Sequence, residues 1–176
     1  MSNLPGVSGL LRKHDPTGPY VLALPIGQDA QIPFHDTEND AGKYVKAIFA
    51  NREKLLGKEV YGAIKYYTPQ EIIDHFTAAF PKDGAGAMFI PIPVEAFVSA
   101  LEGAGMPVFV AEEMAENMLL LNKEHGYYCN HPLEESNAVS RPSTFFMAFA
   151  DFQILSEPAT TWEQFLRKEE SYKDLQ

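Results

Sequence analysis

The sequence predicts an α/β fold, and three observations predict it. Short apolar runs of strand length alternate with amphipathic segments of helix length. Helix start signals fall between the runs, most clearly at Thr68-Pro69-Gln70-Glu71. The 176 residues are 45% hydrophobic and 22% charged, enough for one domain to bury a core without disulfide or metal staples. The expected organisation is a single domain over residues 1–176. It has a loop-rich lead (1–19), an α/β body (20–126), a long loop (127–144) and a C-terminal segment with a helix (145–176).

Taken in order, the lead is rich in Gly, Pro and Ser and reads as loop, with one helical turn around residues 10–13. Tyr20–Leu24 is a β-like run stopped by Pro25, and residues 31–36 form a second extended piece. Ala41, Tyr44, Val45, Ile48 and Phe49 then recur at the spacing of one buried helical face. Thr37 or Asn39 is placed to cap that helix, and Gly57 stands where a left-handed residue closes it. Residues 59–64 read as a strand. Thr68 to Glu71 supply a hydroxyl at the cap, Pro in the first turn and Glu three residues on, opening a helix that carries Ile72, Ile73, Phe76 and Phe80. Another strand is expected over residues 87–92. A helix from Pro93 to Gly103 presents Val94, Phe97, Val98 and Leu101 on one side, and one from Pro107 to about Gly126 carries Val110, Met114, Met118 and Leu121. Residues 145–152 are strand or buried turn. Thr161 opens a last helix with Phe165 and Leu166 inward, and the charged tail 167–176 is expected to fray.

The formal charge is −10 and the pI about 4.9. A field of that sign opposes approach to phosphate backbones and anionic membranes, so direct nucleic-acid or membrane binding is not expected. No apolar stretch is long enough to span a bilayer, and residues 1–10 lack the basic and apolar regions of a signal peptide. Cys129 is the one cysteine, so no intrachain disulfide can form. A cytoplasmic location, or a nuclear one, follows as the expectation.

Chemistry-bearing groups are sparse. Gly84-Ala85-Gly86 is the nearest approach to a phosphate-cradling turn, but it leads into a strand and is read as an ordinary turn. Tyr61 and Lys65 have the Tyr-x-x-x-Lys spacing of a reductase proton donor. On an extended segment those side chains lie roughly 13 Å apart, so the match is read as chance. His125, Cys129 and His131 cluster with Glu134 and Glu135 in the long loop, a set chemically able to hold zinc but at no recognised spacing; no metal is expected. At His35-Asp36 a carboxylate could orient an imidazole, against the plainer reading that these residues cap the following helix. His35, Asp36, His125 and His131 are thus the candidate acid–base residues. Phe97, Met106, Phe109, Met114 and Met118 could line an apolar pocket or simply be core.

Residues 32–72, IPFHDTENDAGKYVKAIFANREKLLGKEVYGAIKYYTPQEI, resemble the NmrA-like family, an atypical branch of the short-chain dehydrogenase/reductases. The resemblance lies in the entry Ile32, Pro33 and Asp36, the helix start from Asp40 to Val45, and the Tyr66-Tyr67-Thr68-Pro69 turn. Thr160 to Leu166 is similar to the family's closing helix, and Met1 to Gly6 to the segment after its central strand. Only the C-terminal part of a Rossmann-like NmrA-type fold is matched, a few short strands with about five helices. The resemblance implies that the glycine-rich half, which holds NADP in full-length members, is absent, so no cofactor is expected for this chain. Asn3, Leu4 and Pro5 would lie nearest the family's cofactor cleft. Members sense NAD(P) redox state and bind other proteins, which implies a regulatory or protein-interaction role without redox turnover. The alternatives are an isomerase, cyclase or reductase-like enzyme with an apolar pocket, or a truncated form of an NADP-binding reductase, since Met1 falls where the family has internal sequence. Strands that normally extend a larger sheet would leave the segments at 20–24, 32–34 and 60–64 uncovered, so a homo-oligomer or another protein is expected to cover them.

Overall fold

Two small sheets carry the architecture. The computed structural model describes residues 11–13, 15–122, 124, 126, 133, 155 and 157–176. In the first sheet β1 (Leu11–Lys13) runs antiparallel to β2 (Tyr20–Leu24), with Leu11 opposite Leu22. β2 in turn runs parallel to β5 (Met88–Pro91), with Leu22 opposite Phe89. In the second, β3 (Ile32–Phe34) pairs antiparallel with β4 (Lys65–Tyr67), with Pro33 opposite Tyr66. Six helices complete the described residues: α1 (Thr37–Ala50), α2 (Arg52–Leu55), α3 (Pro69–Ala79), α4 (Val94–Gly103), α5 (Val108–Leu119) and α6 (Trp162–Lys168). The mixed α/β class is as expected. No helix among the described residues is long and apolar enough to cross a membrane.

The main core lies where the three-stranded sheet, α3, α5 and α6 converge. Leu22, Leu24, Ile32, Phe76, Leu121, Trp162 and Leu166 are all fully buried there. Each such side chain contributes about 1.5–3 kcal/mol by leaving water. Phe76 is ringed by Tyr20, Phe80 and Tyr172 at centroid distances of 4.9, 5.3 and 5.3 Å, tilted or edge-on rather than face to face. A much smaller cluster of Tyr44, Ala47, Leu55 and Leu155 sits under α1 and α2.

Capping chemistry sets the boundaries of α3 and α6. Thr68 Oγ1 accepts from the Glu71 N–H at 3.2 Å, and the Glu71 carboxylate accepts from the Thr68 N–H at 2.8 Å. Burial pushes the Glu71 carboxyl up, but the Thr68 N–H and the Lys65 ammonium 2.9 Å away outweigh it and hold the group below its usual value. Thr161 and Gln164 repeat the same reciprocal cap on α6. Gly57 closes the α1–α2 segment at φ +75°, as its position suggests. At Gly84 a Cβ would stand 2.7 Å from the Phe80 carbonyl oxygen, so the tight turn after α3 admits no side chain.

Several sequence expectations are corrected. Residues 11–13 form a strand rather than a helical turn, because β2 offers a pairing edge. The strand expected at 59–64 begins only at Lys65, where pairing with β3 starts. The last helix before the long loop stops at Leu119. In the segments at 20–24 and 32–34, Leu22, Leu24, Ile32 and Phe34 are 0–2% exposed and share the core with residues of α3, α5 and α6, while Met88 and Ile90 on the neighbouring β5 are 43% and 40% exposed. The tail does not fray. Tyr172 is buried and its hydroxyl donates to the Leu11 carbonyl at 3.1 Å. The Lys82 and Asp83 N–H groups donate to the Gln176 main-chain oxygen at 2.9 and 3.0 Å.

Candidate functional site

The polar corner at the start of α1 holds two of the four candidate acid–base residues. Asp36 is the N-cap, in place of the expected Thr37 or Asn39. Its Oδ1 accepts from the Asn39 N–H at 3.2 Å and its Oδ2 from the Asn39 side-chain amide at 2.8 Å. One turn on, the fully buried Asp40 accepts from the Thr160 N–H at 2.8 Å, from the Thr160 hydroxyl at 3.1 Å and from Lys43 Nζ at 2.8 Å. Lys43 also donates to the Pro158 carbonyl at 2.8 Å. Asp40 thus ties α1 to the segment leading into α6, 120 residues away, and both carboxylates are engaged in holding backbone. His35 is half-buried with its ring 5.6 Å from that of Tyr44. Burial holds its imidazole below the ordinary value, and the charges of Asp40 and Asp36 act the other way without cancelling it.

A second titratable group went unremarked in the sequence. His75 on α3 lies 2.5 Å from the Glu163 carboxylate on α6, and its ring stands edge-on to Tyr67 at 5.5 Å. Burial, with the Glu163 charge nearby, pushes the Tyr67 hydroxyl up to about 12, although the Trp162 N–H bonded to it pulls down. Trp162 Nε1 donates to the Ile72 carbonyl at 3.4 Å. These contacts form the seam by which α6 docks on α3. Helical spacing alone could not reveal a seam between elements separated by more than 80 residues.

The Gly84-Ala85-Gly86 turn is an ordinary turn that borders an open cleft of about 500 Å³, together with Lys13, Thr17, Lys82 and Asp83. Lys13 Nζ lies over the Tyr20 ring at 5.3 Å and Lys82 Nζ donates to the Gln176 side chain at 3.0 Å. Tyr61 and Lys65 do not act together: the Tyr61 hydroxyl donates to Glu59, and Lys65 pairs with Glu71. The described residues include no group of three or more metal-ligating side chains. His125, Cys129, His131, Glu134, Glu135, Asn3, Leu4 and Pro5 lie outside the described residues.

The unexpected surface is apolar. Val45, Ile48 and Phe49, placed by their spacing on a buried face, are 52%, 39% and 76% exposed, and Leu56 after α2 is 81% exposed. Tyr44 and Ala47 are the residues of α1 that reach the satellite cluster. The apolar positions 44, 45, 47, 48 and 49 cover more than one helical stripe, which is the sequence signal that one side would face outward. Beyond the α4–α5 turn, Val108 and Phe109 are 55% and 69% exposed; Phe109 is one of the residues the pocket reading had turned inward.

No curated protein matches the sequence. The NmrA-like family model matches residues 1–153, most of the chain and all five strands of the two sheets. By that match, with the α/β architecture and the Thr68-capped α3 in place, the chain belongs to the NmrA-like family.

Proposed function

We propose that this chain works by binding other proteins, in a regulatory role and without redox turnover of its own. The observation that carries the reading is the pair of exposed apolar helix faces centred on Phe49 and Phe109. Monomeric proteins rarely leave contiguous apolar surface in water unless it is a contact surface. Aromatic side chains at such places are the usual anchors of protein interfaces. Two further facts support it. Asp36 and Asp40, the carboxylates that acid–base chemistry at the α1 corner would call on, are spent on the helix cap and on Thr160. The net charge of −10 favours protein over nucleic acid as the partner.

Photo-crosslinking residues placed at positions 49 and 109 test this in cell extract. Covalent adducts with protein at either position are the expected result, and adducts at neither position overturn the reading. Oxidation of NADPH by the purified chain, followed by the loss of its absorbance, would overturn its second half, the absence of redox turnover.

A further inference from the structure

We infer that the Phe109 face of α5 receives a basic amphipathic helix of another protein, one with apolar anchors and lysine or arginine between them. This rests on the docking reading above and names the chemistry of the partner.

The apolar part lies on one stripe of α5. Phe109 is 69% exposed, and Leu120 at the helix C-cap is 47% exposed. They are eleven residues apart, three turns of helix to within about 20°, so they share one side at a separation of about 16 Å. Val108 beside Phe109 is 55% exposed and widens that end. Ala111, Ala115 and Met118 are buried and turn the other way, into the protein.

Between the two anchors the stripe is acidic. Glu112, Glu113 and Glu116 follow Phe109 by three, four and seven residues, the spacings that share its side of the helix, and all three are exposed. No ion pair among the described residues involves any of them. Glu95 and Glu102 are exposed on α4, which packs against α5. From residue 83 to 122 the chain has these five glutamates and Asp83 but no Lys, Arg or His, so this stretch alone holds more than half of the net charge of −10.

The combination selects the occupant. Phe109 and Leu120 lose water only to apolar side chains, and the carboxylates between them are matched only by cations. Nucleic acid and anionic lipid carry the wrong sign. A second copy laid on the same face sets carboxylate against carboxylate, which suppresses that pairing. A partner helix with apolar residues eleven positions apart meets both anchors, and lysines or arginines between them meet Glu112, Glu113 and Glu116. Amphipathic helices are recognised by such spaced anchors.

Fluorescence anisotropy with a labelled probe peptide tests the inference. The probe is a leucine–lysine helix of about 18 residues, roughly five turns, with its leucines on one face. A second peptide has glutamate in place of every lysine, and a third has glutamine in place of every leucine. The purified full chain is expected to bind the probe saturably and each control peptide at least about tenfold more weakly. Phe109→Asp alone, and Glu112→Lys with Glu116→Lys, are each expected to weaken probe binding by about tenfold or more. Glu38→Lys with Asp74→Lys makes the same change in net charge on exposed residues of α1 and α3, and should weaken it by less than about threefold. Thermal melts superimposing on the wild type establish that the variants fold, and Phe109→Ala replaces Phe109→Asp if the latter does not. A chain that does not bind the probe overturns the inference. So does a control peptide that binds as well as the probe, an α5 variant that binds as the wild type does, or an equal loss in the Glu38–Asp74 pair. The docking reading fails on a different result. Crosslinks from position 109 to protein without probe binding overturn the basic helix and leave docking intact, whereas crosslinks from neither position 49 nor position 109 overturn both.

Discussion

Helices α1 and α3 look alike in the sequence and differ in the molecule. Both carry apolar residues at helical spacing behind a side-chain cap. In α3 those residues, Ile72, Ile73 and Phe76, are 0–3% exposed, because β5 packs on one side and α6 on another. In α1 the partner is thin: Tyr44 and Ala47 reach a four-residue cluster, while Val45 and Phe49 remain in water. The difference teaches that an amphipathic pattern identifies which residues avoid water without saying what covers them. Cover comes from distant segments, as α6 covers α3.

The sharpest way to break the comparison is to shorten the matching aromatic in each helix. Phe76→Ala removes a ring packed against three others and should cost about 3–5 kcal/mol in denaturant unfolding. Phe49→Ala should change stability by less than about 0.5 kcal/mol. Similar losses at the two sites would mean that α1 is buried as deeply as α3. The next largest effect is expected at Asp40. Asp40→Ala strips a buried acceptor from Thr160 and an ion pair from Lys43, and should cost about 1–3 kcal/mol. It should also raise hydrogen exchange at the α6 entry, which an effect confined to α1 would not do. Thr68→Ala, which opens the reciprocal cap on α3, should cost about 1 kcal/mol by the same unfolding measurement.

The smallest effect is a pH dependence localised to the α1 corner. Burial lowers the His35 pKa in the folded state, so folding favours the neutral ring. The corresponding stability is present above the unfolded value of about 6.5 and is lost as pH falls through the folded value. His35→Gln should therefore flatten the stability–pH curve on the acid side of neutrality and leave its alkaline limb unchanged. An unaltered acid limb would show that the ring titrates as freely in the folded chain as in the unfolded one.

Local chemistry was the legible part of this fold. The caps at Thr68 and Thr161, the strand Tyr20–Leu24 and the left-handed Gly57 are written in adjacent residues, and each was found where expected. What escaped depends on partners far along the chain. Residues 59–64 are apolar enough for a strand, yet pairing with β3 begins only at Lys65. Tyr172 stands in a charged tail and is buried because Leu11 and Phe76 await it. The exposure of Phe49 and Phe109 was not legible in the sequence, since it depends on which helices lack a covering neighbour. His35 and Asp36 are neighbours in the sequence as in the α1 corner, and the capping geometry accounts for the carboxylate.

The hydrogen bond from Tyr172 to Leu11 has a consequence for how the protein is made. It spans 161 residues, and the ring also packs against Tyr20 and Phe76. As the nascent chain leaves the ribosome, β1 and β2 emerge first and α6 with Tyr172 far later. Their shared core cannot close until translation has passed residue 172. During that interval Tyr20, Phe76 and Ile72 are surfaces awaiting cover, of the kind that chaperones hold.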